Sequence, residues 1–311
     1  MTFRTLTFPA ATLLLVVAPV LAQKTFSTAD EAAHALVAAY EHQDTGAMLG
    51  ILGSAGKDLV TSGDKAQDNN RRERFVKLAK ESMKVVPDPA AYDQWVIEVG
   101  PENWPLPIPL IKAKNGFQFD TPRARVEILA RRIGANELNT IATLHDFAQA
   151  QHEYATVDRA GTGLREYAQK IISSSGKHDG LYWDAKAGEP ESPLAAIVGK
   201  AATEGYKLGA AGKQPIYHGY VFRVLKAQGP DAPDGAHDYL VRGALLGGFA
   251  FVAYPAEYAV SGVKTFLICH DGVVWEKDLG AKTTATASAM TRYNPDKSWE
   301  PAPSPEPNPN E

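Results

Sequence analysis

Between Gly219 and Gly280 the sequence alternates apolar and polar residues, breaks repeatedly at glycine and turns at His270-Asp271-Gly272. Alternation of this kind reads as an antiparallel meander. In its first strand, Tyr220, Phe222 and Val224 share one face, with Val221, Arg223 and Leu225 on the other. The apolar face needs a cover, and the long helical stretch from Pro122 to Val157 supplies one. Asp120-Thr121-Pro122 opens that helix with a cap residue and a first-turn proline. Ile133, Ile141, Leu144, Ala148 and Ala155 form its apolar stripe, while Arg123, Arg125, Arg131, Arg132 and Glu137 are expected on its wet face.

Upstream, helices come first. Ser27-Thr28-Ala29-Asp30 is a capping-box variant before a helix carrying Ala33, Leu36, Val37 and Tyr40. Asp44 caps a short second helix through Met48 and Leu52. The turn Thr61-Ser62-Gly63-Asp64 precedes a third, through Arg72, Phe75, Leu78 and Ala79. Its basic residues, Arg71, Arg72, Arg74, Lys77 and Lys80, are read as a solvated face because Glu73 and Glu81 interrupt them. Strands follow at Trp95–Val99 and around Leu106–Ile111. Pro105, Pro107 and Pro109 make the latter an edge strand or an extended arm. Lys114-Asn115-Gly116 turns into Phe117-Gln118-Phe119. Helices followed by antiparallel strands predict a small α+β unit.

The ends read differently. Met1–Ala22 has Arg4 followed by an apolar run from Ala10 to Val20, the pattern of a cleaved secretory signal. The run is shorter than the ~20 residues a membrane span needs. The expectation is therefore a mature chain from Gln23, periplasmic or secreted, with no membrane span. From Asn294 the residues are mainly Pro, Ser, Asn and Glu, which predicts a disordered tail over residues 294–311. The organisation expected is residues 1–22 signal, 23–120 a first α+β domain, 121–293 a second domain, then the tail. A net charge of -4, from 32 basic and 36 acidic side chains, argues against a nucleic-acid partner. The single cysteine, Cys269, excludes an internal disulfide and any multi-cysteine metal site.

Four blocks carry a family resemblance: NELNTIATLHDFAQAQHEYA, GLREYAQKIISSSGKHDGLYW, GYVFRVLKAQGPDAP and GGFAFVAYPAEYAVSGVKTFLICHDGVVWEKDLG. Together they resemble the bacterial domain-of-unknown-function family 2950, for which no catalytic residues are established. The helix-then-strand order of the first unit is similar to the cystatin-like cone of the nuclear-transport-factor-like superfamily. The second half resembles the globular head of type IV pilin-like proteins, on Gly219, Tyr220, Phe222, Arg223, Pro255, Tyr258, Ser261, Gly262 and Phe266. Arginines in the first turns of the long helix oppose assembly by the pilin route, so a monomer or small oligomer is expected.

Candidate sites are few. Trp95, Trp104 and Phe117 would line the cone of the first unit and bind a small ligand. His145 and His152 share one helix face with Gln149, but two imidazoles fall short of a zinc site, and a pair of boundary histidines is the better reading. Cys269 and His270 are strand neighbours pointing to opposite faces. Asp158, Thr162 and Glu166 are read as part of a helix-ending turn rather than a calcium loop. Glu257 and Asp271 are the remaining carboxylates that could pair. No nucleophile, base and orienter assemble, so no catalytic residue, metal or cofactor is assigned. The function expected is a non-catalytic envelope or extracellular interaction module, with an envelope protein or polysaccharide as partner. The alternatives are an envelope hydrolase or carbohydrate-active enzyme with a cleft between the domains, or small-ligand binding in the first.

Overall fold

The structure is a computed structural model that describes residues 23–89, 91–159, 161, 163–207 and 215–303. The signal-like stretch therefore lies outside the described residues. Three of the early helices start where a side-chain oxygen can take an orphan backbone N–H. In α1 (Ala29–Glu41), Thr28 accepts from the Glu31 N–H at 3.0 Å, and the Glu31 carboxylate accepts from the Ser27 N–H at 2.9 Å. Asp44 caps α2 (Thr45–Leu52) and Asp64 caps α4 (Lys65–Glu81) in the same way. Between them lies α3, a single turn at Lys57–Val60.

The first sheet contains β1 (Met83–Pro87), β2 (Gln94–Val99), β3 (Trp104–Pro105), β4 (Leu110–Ala113) and β5 (Gly116–Phe119). Its order is β1-β2-β4-β5, with β3 also on β2. Two features depart from expectation here: β1, which was not expected from the sequence, and a break that the prolines make further on. Pro107 and Pro109 keep residues 106–109 out of the strands, so that β3, just before them, pairs with Glu98 and Val99 while β4, just after, pairs with Gln94 and Trp95.

The long helix, α5, runs from Thr121 to Tyr154, 34 residues, with Asp120 as its cap. A short α6 (Ala195–Thr203) follows. The segment around Leu164–Ser173, where the sequence suggests a weak helix, is irregular. The buried Gln151 side chain brackets Ala168, donating to its carbonyl at 2.9 Å and accepting from its N–H at 2.8 Å, which replaces helical pairing.

The meander is confirmed and larger than expected. It comprises β6 (Ile216–Tyr217), β7 (Tyr220–Leu225), β12 (Ala250–Pro255), β13 (Lys264–Cys269), β14 (Val274–Asp278) and β15 (Glu300–Pro301), ordered β15-β14-β13-β12-β7-β6. Two-residue ladders join β8 (Ala227–Gln228) to β9 (His237–Asp238) and β10 (Leu240–Val241) to β11 (Ala244–Leu245). Helix α5 covers one face: Phe147 meets Phe222 edge-on at 5.3 Å and Phe251 at 5.5 Å. The opposite face is covered by α7 (Thr283–Ala289), whose terminal carbonyls, at Ala287 and Ser288, accept from the Arg223 guanidinium at 3.0 and 2.7 Å. Cover on both sides explains why every residue of β12 is buried. The expectation of a disordered tail from Asn294 is corrected for residues 294–303. Asn294 bonds to Asp231, β15 extends the sheet, and Trp299 is buried in the core.

Among the described residues, buried apolar side chains form two clusters. One gathers α1, α2, α4 and the first sheet, the other α5, α7 and the second sheet. Helix α5 belongs to both: Ala124 sits in the first cluster, and Ile141, Leu144 and Phe147 in the second. Where it crosses between them, two positions expected on its wet face turn inward. Arg132 is 5 % exposed, and Glu137 accepts from the Val263 and Lys264 N–H groups, each at 2.9 Å. The orphan N–H groups at the start of β13 demand an acceptor there, which outweighs the polar pattern.

The same crossing explains the Gly219-Tyr220 and Ser261-Gly262 motifs. Asn136 is fully buried, donating to the Ser261 carbonyl at 2.8 Å and accepting from Gln67 at 3.0 Å. A Cβ on Gly219 would lie 2.6 Å from the Asn136 amide nitrogen, at a φ of 76°. One on Gly262 would collide with the Tyr220 hydroxyl, which donates to the Lys264 carbonyl at 3.0 Å. Gly262→Ala is therefore expected to cost about 1–3 kcal/mol, the range for overpacking a core. An unchanged urea midpoint would show that Tyr220 has room to move aside.

Candidate binding site

Two helices separated in sequence carry the same spacing. On α4, Asp68, Arg71, Arg72 and Phe75 stand at i, i+3, i+4 and i+7; on α5, Ile128, Arg131, Arg132 and Ala135 do the same. Each set occupies one helix face. The structure turns both faces onto a cavity of about 420 Å³. Its remaining wall comes from Tyr40 of α1, Leu59 and Val60 of α3, and the Trp104–Ile108 stretch at β3.

The floor is apolar, and Tyr40 and Phe75 pack edge-on there at 5.3 Å. The charge is basic. Arg71, Arg72, Arg74, Arg131 and Arg132 line the cavity against one carboxylate, Asp68. Both oxygens of Asp68 are occupied, accepting from the Ser62 N–H at 2.9 Å and the Ser62 hydroxyl at 2.7 Å. Arg131 is paired with Glu127 at 2.6 Å. Arg132 donates to the Asp58 and Leu59 carbonyls at 2.5 and 3.3 Å, and Arg72 to the Val60 carbonyl. These two guanidiniums thus close the end of α3 while keeping their charge. Burial, reinforced by the Arg71 charge, lowers the Arg132 pKa to about 10, so it remains a cation at neutral pH. Burial raises the Tyr40 hydroxyl to about 12, which keeps it a neutral donor.

The solvated-face reading of the α4 basic residues holds for Arg71, Arg74, Lys77 and Lys80, which are exposed, while Arg72 is half-buried; what the reading lacked is the cavity beside that face. Arg71, Arg72 and Arg74 face the cavity, whereas Lys80 pairs with Glu41 outside it. The aromatic trio separates. Trp104, 47 % exposed, forms part of the cavity wall, while Trp95 and Phe117 meet edge-on at 5.0 Å and pack against the first core. His145 is half-buried beside Asp146, and the exposed His152 packs against Phe249 at 5.3 Å and Tyr167 at 6.1 Å. No group of three potential metal-binding side chains occurs among the described residues. Glu257 is exposed in the β12–β13 loop, at the opposite end of β13 from Asp271, so the two carboxylates do not pair. Asp158 accepts from the Gly163 N–H at 2.7 Å and Glu166 from the Leu245 N–H at 3.2 Å, so each braces a loop; Thr162 lies outside the described residues. Burial pushes the Cys269 thiol up to about 11, while His270 is exposed.

One comparison with known families finds a match. A model for proteins of unknown function, DUF2950, matches residues 23–302. The chain belongs to the DUF2950 family. No curated protein and no solved structure matches it. The family match covers both the cavity and the seam along α5, so both lie within the DUF2950 region.

The seam itself is filled rather than open. Asp64, 2 % exposed, accepts from the Tyr206 hydroxyl and the Gly219 N–H, both at 2.8 Å, while its other oxygen caps α4. Burial and the Asp64 charge hold the Tyr206 hydroxyl protonated far above its ordinary range. Among the described residues no helix is long and apolar enough to cross a membrane.

Proposed function

We propose that this DUF2950 protein is an exported, non-catalytic binding module whose first unit takes a small amphipathic anion in the α4–α5 cavity. One observation carries the reading. Four guanidiniums, of Arg71, Arg72, Arg74 and Arg132, line an apolar-floored cavity of ligand size in which Asp68 is the one carboxylate among the described lining residues. Like charges so grouped repel one another and favour an anion among them. The cystatin-like cone reading of the first unit is supported by this placement of a cavity between helices and the β3 edge. The pilin-like reading of the second is supported by α5 lying on the meander. A monomer or small oligomer in the periplasm or outside the cell, free to meet envelope components, fits both.

Export has its own test. The mature chain is expected to begin at or near Gln23, whose side chain donates to the Ile51 and Phe119 carbonyls at 3.1 and 2.8 Å. Mass spectrometry of the native protein finding Met1 retained in a membrane fraction would contradict it. For the cavity, the fluorescent anionic amphipath anilinonaphthalene sulfonate is expected to bind the folded protein at one site. Arg72→Gln should weaken it by about five- to tenfold, the loss of one charge-assisted contact. Binding unchanged by that substitution would place the probe elsewhere.

A further inference from the structure

We infer that the ligand head carries at least two negative charges: a phosphate monoester or diphosphate on a single apolar chain. The inference rests on the cavity being an anionic amphipath site, and adds which anion. Arg131 has its carboxylate in Glu127, and Asp68, held in place by Ser62, contributes a single negative charge. Arg71, Arg72, Arg74 and Arg132 remain, with Asp68 the only lining carboxylate to set against them. A monocarboxylate would leave most of that positive charge uncompensated, whereas a phosphate dianion answers it and presents three acceptor oxygens. Guanidiniums meet such oxygens in bidentate pairs, which a lysine cluster would not do.

The body of the ligand follows from the floor. Leu78, Leu106, Ile108 and Ile128 offer no side-chain hydrogen-bond partner, so a sugar or nucleotide body would be desolvated there without compensation. An aliphatic chain loses nothing, and gains about 0.8 kcal/mol for each methylene it buries. Arg71 and Arg74 are the exposed members of the cluster and make no side-chain hydrogen bond among the described residues, unlike Arg72 and Arg132. They are the residues to substitute without disturbing the fold.

The test is calorimetric titration of the chain from Gln23 onward, at pH 8 and below micelle formation, with dodecyl phosphate, dodecanoate, inorganic pyrophosphate and uridine monophosphate. Dodecyl phosphate is expected to bind at least about tenfold tighter than dodecanoate, one further charge-assisted contact being worth roughly that factor. Pyrophosphate and the nucleotide should be weaker than either amphipath. The double variant Arg71→Gln, Arg74→Gln should bring the two amphipaths within about threefold of each other, a loss of selectivity that a general loss of stability would not produce. Equal affinity for dodecanoate in the unsubstituted protein overturns the dianionic head but leaves the amphipath reading standing. Pyrophosphate or the nucleotide binding as tightly as dodecyl phosphate overturns the apolar chain. No binding by either amphipath overturns both.

Discussion

Phe222→Ala is expected to lower the unfolding free energy by about 3–5 kcal/mol, the range for deleting a buried aromatic ring. Phe222 is 1 % exposed and meets the Phe147 ring of α5 edge-on. Its partner across the strand pair is Ala253, too short to fill the space left behind. The flanking rings of Phe251 and Phe266 belong to a sheet held from its other side by α7, so collapse is opposed from both faces. The loss should appear as a lower urea midpoint with an unchanged slope. A loss under about 1 kcal/mol would show that α5 does not seal this face of the sheet.

The second large effect is expected at the seam. Asp64→Ala removes the cap of α4, worth about 1 kcal/mol, and strands the buried Gly219 N–H and the half-buried Tyr206 hydroxyl. Each stranded donor costs about 1–3 kcal/mol, so a total of about 3–7 kcal/mol is expected. Because these bonds tie α4 to the chain entering the meander, the variant should also loosen the coupling between the two core clusters. Thermal unfolding is expected to become broader or biphasic. Retention of one sharp transition at the original temperature would mean that water replaces the carboxylate without loss.

What the sequence disclosed follows the range of the forces involved. Local signals were legible: Thr28, Asp44, Asp64 and Asp120 each cap the helix that follows, and the meander turns at His270-Asp271-Gly272. Helix α7 was not legible, because in Thr-Thr-Ala-Thr-Ala-Ser-Ala the alanines are interleaved with the weaker helix formers Thr and Ser and no apolar periodicity results; it is stabilised from outside by Arg223. Trp299 and β15 were hidden by the polar composition around them. At the candidate site, Trp104 was found among the aromatics, but the arginines of α4 were assigned to solvent. Their spacing is visible in the sequence, as is the matching spacing on α5. That the two faces meet is a long-range fact, and Arg132 and Glu137 pointing inward is part of it.

The central claim is that the guanidiniums of α4 and α5 form one anion site. Side-chain Nε–H resonances of arginine report it directly, followed during titration with dodecyl phosphate. The account predicts that Arg71, Arg72, Arg74 and Arg132 shift together and saturate at one equivalent, while Arg242 and Arg292, on the second unit, stay in place. Shifts spread evenly over all arginines, or confined to residues outside the α4–α5 cavity, would contradict it.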